Sequence, residues 1–88
     1  MTHEVRLSKD AARYLERLRR EDQGRIVRRL EQIAADPTGP HSKPLTNARG
    51  FRSGRVGGWR ILFVVDEPEQ AILVTDIGPR GQVYRRRP

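Results

Sequence analysis

The chain has 88 residues, no cysteine, and 18 basic against 11 acidic residues, a formal charge of +7. That length supports one core rather than two, and the absence of cysteine removes disulfides, thiolate metal sites and a cysteine nucleophile. The opening Met1-Thr-His-Glu-Val-Arg has no apolar signal-like run, and the longest aliphatic/aromatic run, Ile61 to Val65, is far short of the ~18 residues of a membrane span, so a cytoplasmic, non-membrane location is expected.

His3 to Leu7 alternates, with Val5 and Leu7 on one face, and predicts a strand. Ser8 offers an N-cap oxygen to a helix starting near Lys9. Ala11, Leu15 and Leu18 fall at i, i+4 and i+7, one helical stripe. Glu21-Asp22-Gln23-Gly24 interrupts that pattern, and Gly24 is a poor helix-interior residue. A second stripe, Ile26, Leu30, Ile33 and Ala34, ends where Asp36-Pro37 forbids further helix. Two helices joined so tightly predict an antiparallel hairpin. Its arginines (Arg17, Arg19, Arg20, Arg25, Arg28 and Arg29) mostly occupy outer faces and alternate with Glu16, Glu21 and Glu31, the pattern of a solvated surface.

Pro37 to Pro44, with three prolines and a glycine, reads as a loop. Beyond it the period changes to that of strands. Phe51 to Val56 is a candidate strand, Gly57-Gly58 a two-residue hairpin turn, and Trp59 to Val65 a strand of aromatic and β-branched residues. Asp66 to Gln70 is a turn, Ala71 to Ile77 a strand, Gly78 to Gly81 a turn, and Gln82 to Arg86 a possible last strand. The order β-α-α-β-β-β predicts a single α+β domain over residues 1–88. A helical hairpin covers one face of a small, mainly antiparallel sheet, and the other face is left for function.

Charge is segregated along the second half. Four arginines and no acid lie between Leu45 and Phe63, four more and no acid between Ile77 and Pro88, and the acids cluster between Asp66 and Asp76. Sixteen of the 18 bases are arginine, the exceptions being Lys9 and Lys43. The arginine fork suits phosphate, so an anionic partner is expected, nucleic acid ahead of membrane. Neither metal nor other cofactor is expected: His3 and His41 have no ligand-like spacing, and no phosphate loop occurs. Ser53 has no histidine near it in the sequence to act as its base.

Alternation along Trp59 to Val65 places Trp59, Ile61, Phe63 and Val65 on the helix-covered side and Arg60, Leu62 and Val64 on the open side. Arg60 is expected there either free for a ligand or paired with Asp76 on the next strand. Arg52 and Arg55 from the preceding strand, Arg80 after the last core strand and Tyr84 are expected to join it on one concave face. Arginines there would stabilise a phosphorane-like transition state, and Tyr84 would stack on a base, exchange a proton, or simply seal the sheet edge.

The segments Phe51-Arg-Ser-Gly-Arg-Val-Gly-Gly-Trp-Arg-Ile-Leu-Phe and Ile72-Leu-Val-Thr-Asp-Ile-Gly-Pro-Arg, followed by Val83-Tyr-Arg, resemble the RelE/ParE superfamily of toxins from type II toxin–antitoxin systems. The resemblance covers nearly the whole chain, length and element order included. It implies a ribosome-dependent endoribonuclease that cuts mRNA in the A site through 2′-hydroxyl attack, inhibited by a cognate antitoxin. By that resemblance Arg60 contacts the scissile phosphate, Arg80 stabilises the phosphate or protonates the leaving group, and Tyr84 orients the substrate base. The lysines usual in the preceding strand are missing; Arg52 and Arg55 are the candidates for their role, with Ser53 in one lysine position. Arginine is a poor base, because its pKa lies above ~12. The ParE branch shares the fold, poisons DNA gyrase and lacks the nuclease set; a non-catalytic RNA-binding module is the third possibility. Ribosomal RNA is expected to meet Arg19, Arg20, Arg25, Arg28 and Arg29 together with Arg85, Arg86 and Arg87. The antitoxin is expected to neutralise the open face and bury Leu62 and Val64.

Overall fold

A computed structural model of the chain describes residues 2–79. It contains β1 (Glu4–Leu7), α1 (Lys9–Arg17), α2 (Arg20–Ala35), β2 (Ser42–Pro44), β3 (Phe51–Val56), β4 (Trp59–Asp66) and β5 (Ala71–Pro79). The strands form one sheet in the order β1-β5-β4-β3-β2. Only the β1–β5 pair is parallel; the other three pairs are antiparallel. The α+β class and the expected element order hold, with one strand added.

That strand, β2, lies inside the stretch expected to be a loop. Its three residues pair with Arg52, Ser53 and Gly54 at the sheet edge. Pro44 cannot donate to a ladder, and a proline is tolerated there because an edge strand needs donors on one side only. The last core strand also runs two residues further than expected, through Gly78 and Pro79.

The two helices meet earlier than the apolar pattern indicated. The break falls at Leu18-Arg19, and Glu21 to Gly24 lie inside α2. The side chain of Gln23 explains this: its Nε2 donates to the carbonyls of Leu15 (2.9 Å) and Glu16 (3.3 Å). Helix C-terminal carbonyls lack intrahelical donors, so this amide ends α1 from the first turns of α2. At the other end of α1, Ser8 Oγ accepts from the Ala11 N–H (3.0 Å) and donates to the Thr75 carbonyl (2.8 Å). One hydroxyl thus caps the helix and ties it to β5.

The core lies between helices and sheet. Ala11, Ile26, Leu30, Ile33 and Ala34 pack on Val56, Ile61, Phe63, Ile72, Val74 and Ile77, with Trp59 and Val65 at its margin. Each large aliphatic or aromatic side chain fully covered there contributes about 1.5–3 kcal/mol. The helix-facing set predicted on β4 is therefore observed. Close approach of α2 to β3 depends on Gly54, where a Cβ would stand 2.7 Å from Ile33 Cδ1 and 3.2 Å from the His41 carbonyl oxygen.

Candidate nucleic-acid interface

Directly opposed residues of neighbouring strands share a face, so the register sorts the site residues. On the side away from the helices, Lys43, Ser53, Leu62 and Asp76 form one cross-strand row. Arg55, Arg60 and Gly78 form the next row. Adjacent rows are diagonal neighbours, roughly 7–8 Å apart at Cα and within reach of long side chains. Arg55 and Arg60 are thus brought together as expected, and Asp76 is diagonal to Arg60.

Arg52 does not share that face. It is opposite Phe63, a helix-facing core residue, and its guanidinium holds the β2 edge. Nε donates to Ser42 Oγ at 2.9 Å and Nη2 to the Ser42 carbonyl at 3.2 Å. Arg55 follows Arg52 by three positions, an odd number, so strand alternation turns them to opposite sides. Grouping Arg52 with Arg55 on the concave face is corrected accordingly.

The centre of this face is not open. Leu62 is 1% exposed, Ser53 3% and Asp76 5%. Leu62 sits on the central strand with Ser53 opposite on one side and Asp76 on the other, and β4 is flanked on both sides. The expected exposed pair Leu62 and Val64 reduces to a half-buried Val64. Arg80, Tyr84, Arg85, Arg86 and Arg87 lie outside the described residues.

Lys43 was missed by sequence reasoning because it sits among prolines that signal a loop. Strand pairing opposite Ser53 puts an exposed lysine on the same side as Arg55 and Arg60. No pattern within Pro37–Pro44 carries that information; only the partner strand does.

The arginines of the helices separate into two groups. Arg19 lies 3.7 Å from the carboxylate of Asp22, at the start of α2. Arg20 is the first residue of the same helix. Arg25, Arg28 and Arg29 instead line a groove with Gln32 of α2 and with Val56 and Gly57 of the β3–β4 hairpin. Elsewhere, Glu4 and Glu69 flank the Arg6 guanidinium at 2.8 and 3.3 Å, and their hydrogen bonds raise its pKa above the ordinary arginine value.

Among the described residues no helix is long and apolar enough to cross a membrane. No curated protein matches the chain. By fold it is similar to the toxin of the RelBE2 toxin–antitoxin complex of Mycobacterium tuberculosis, at 23% identity over 91% of this chain and 93% of that one, TM-score 0.79. It is similar also to the archaeal RelE–RelB complex of Pyrococcus horikoshii, at 20% identity over 93% and 99%, TM-score 0.77. The isolated RelE toxin of E. coli matches at 16% identity over 96% and 93%, TM-score 0.77. Residues 5–84 match the family described as the ParE toxin of the type II toxin–antitoxin system parDE. That match spans most of the chain, and with the shared fold it establishes that this protein belongs to the RelE/ParE superfamily of type II toxins.

Proposed function

We propose that the chain is a ribosome-dependent mRNA endoribonuclease held in check by a cognate antitoxin, and that it acts in the cytoplasm. The observation that supports this most is the opposed pair Arg55–Arg60 on the face away from α1 and α2. Like charges directly opposite each other cost stability; a phosphate between them turns that cost into binding. Arg60 and Arg55 neutralise the two charges of the phosphorane as the 2′-hydroxyl oxygen attacks phosphorus. The attack forms a 2′,3′-cyclic phosphate and expels the 5′-oxygen, which takes a proton from water. The family resemblance assigns Arg80 to the phosphate and Tyr84 to the flanking base.

The 2′-hydroxyl proton needs an acceptor, and arginine does not serve, because it stays protonated. Lys43, in the row next to Arg55 and on the same face, is the group we assign to this role. Arg52 is a positioning residue, since its two hydrogen bonds to Ser42 fix the strand that carries Lys43.

The matched solved structures include toxins bound to RelB antitoxins, which supports an antitoxin partner here. An acidic antitoxin segment over Arg55 and Arg60 would block phosphate entry.

A second reading, a DNA gyrase poison, is favoured by the match to the ParE toxin family. Primer extension on translated mRNA after induction separates the two. New 5′ ends at A-site codons, lost in Arg60→Ala and Arg80→Ala, are expected; intact mRNA with gyrase-dependent DNA breaks would replace the nuclease reading. Loss of one transition-state donor lowers the cleavage rate by about 10²–10³.

A further inference from the structure

The groove between α2 and the β3–β4 hairpin is built around guanidiniums. It encloses about 220 Å³ and is lined by Arg25, Arg28, Arg29, Gln32, Val56 and Gly57. Arg25 lies with Cζ 5.9 Å from the centre of the Trp59 ring. Its Nη2 occupies space that a side chain at position 57 would claim, 2.7 Å from where a Cβ would stand. Gly57 has φ +55°, so the turn residue that favours glycine for its backbone also makes room for the guanidinium. Arg29 Nη1 lies 3.3 Å from His41 Nδ1. The remaining charge is poorly compensated. Asp22 Oδ1 is 4.0 Å from Arg25 Nη1, and among the described residues no carboxylate comes within 4.0 Å of Arg28 or Arg29.

Three guanidiniums around one concavity repel one another, and an anion relieves that repulsion. The forks of Arg25, Arg28 and Arg29 match phosphate oxygens and follow one another along the helix at i, i+3 and i+4, about 5–6 Å apart at Cβ. A protein partner would want apolar surface to bury at the centre of its contact. The groove offers it little: Val56 is the one apolar side chain in the lining and is 7% exposed. The hairpin tip continues the charge, because Arg55 and Arg60 flank Gly57-Gly58 on the other side of the sheet.

We propose that this groove binds the phosphate backbone of a structured RNA, gripping it on the side of the hairpin opposite Arg55 and Arg60. The choice of RNA rests on the ribosome-dependent reading above; the site itself rests on the groove. Arg19 and Arg20, outside the groove, take no part in it.

The test measures binding of the full chain to a fluorescein-labelled, 2′-O-methylated RNA hairpin across a salt series. The 2′-O-methyl groups prevent cleavage, so binding is read alone. Arg28→Gln/Arg29→Gln is expected to weaken binding and to flatten the slope of log K against log salt by roughly 1.4–1.8, two phosphates' worth. Arg19→Gln/Arg20→Gln removes the same charge and is expected to leave the slope unchanged. Gly57→Asn keeps the charge and tolerates positive φ, but its Cβ displaces Arg25; about tenfold weaker binding is expected, with circular dichroism and thermal melting matching the parent.

If the two double variants weaken binding equally and Gly57→Asn binds like the parent, affinity follows net charge and the groove is not a site. If the groove variants lose antitoxin affinity while keeping RNA affinity, the groove belongs to an acidic protein partner and the proposal falls. Groove-dependent RNA binding in a chain that cleaves no mRNA would uphold the groove and remove the nuclease reading alone.

Discussion

Arg55 and Arg60 face each other directly across the β3–β4 ladder, two residues from the Gly57-Gly58 turn, on the side of the sheet away from α1 and α2. A sheet selected for stability alone would place opposite charges or β-branched residues in such a pair. On the reading proposed above, this pair is where the phosphate would be received.

The first prediction follows from that conflict. Arg55→Thr replaces one of two opposed cations with a strand-favouring side chain. Stability to urea is expected to rise by about 0.2–1 kcal/mol, while cleavage of translated mRNA falls by about 10²-fold through loss of one phosphate donor. A variant both less stable and fully active would contradict the role given to this pair.

The second concerns Lys43. Lys43→Met removes the proposed proton acceptor from an exposed position and should leave the melting temperature nearly unchanged. Cleavage should fall while binding of an uncleavable 2′-O-methyl RNA is retained. Undiminished cleavage would assign the proton elsewhere, with Asp76, diagonal to Arg60, the next group to replace.

Arg52 provides a contrast with Lys43. Arg52→Ala breaks two hydrogen bonds to Ser42, and about 1–3 kcal/mol of stability should go with them. Hydrogen exchange should increase first at residues 42–44, because the bonds anchor that edge strand. Cleavage should decline less than in Lys43→Met, since Lys43 remains but is less well held. Wild-type exchange at β2 in this variant would show that backbone pairing alone fixes the edge.

The fourth prediction is a stabilisation. Gly24 lies within α2 and has nothing within 4 Å of where its Cβ would be. Gly24→Ala is expected to stabilise the fold by about 0.8–1.0 kcal/mol, with RNA binding unaltered. Denaturant unfolding with an unchanged m-value checks it; a destabilised variant would mean that Glu21 to Gly24 are not helical in solution.

The sequence by itself determined the features that follow from local periodicity. Alternation along Trp59 to Val65 separates core-facing residues from Arg60, and the spacing of Ile26, Leu30 and Ile33 identifies the buried stripe of α2, because these repeats follow backbone geometry. The Gly57-Gly58 turn was legible for the same reason, as glycine is what a residue with φ +55° favours.

Only the tertiary structure decided features that depend on a distant partner. The split of Arg52 from Arg55 obeys alternation and was within reach of the sequence, but the bonds of Arg52 to Ser42 appear only once β2 has docked. Lys43 joins the candidate site because its backbone pairs with Ser53, and no local preference of a proline-rich segment specifies that pairing. The helix break moved to Leu18-Arg19 because Gln23 reaches back across the turn to the end of α1. Leu62 is buried although its face was expected to be open, because burial is set by everything that packs around a central strand. Periodicity tells a residue which way to point; pairing and packing between segments far apart in the chain decide what it then meets.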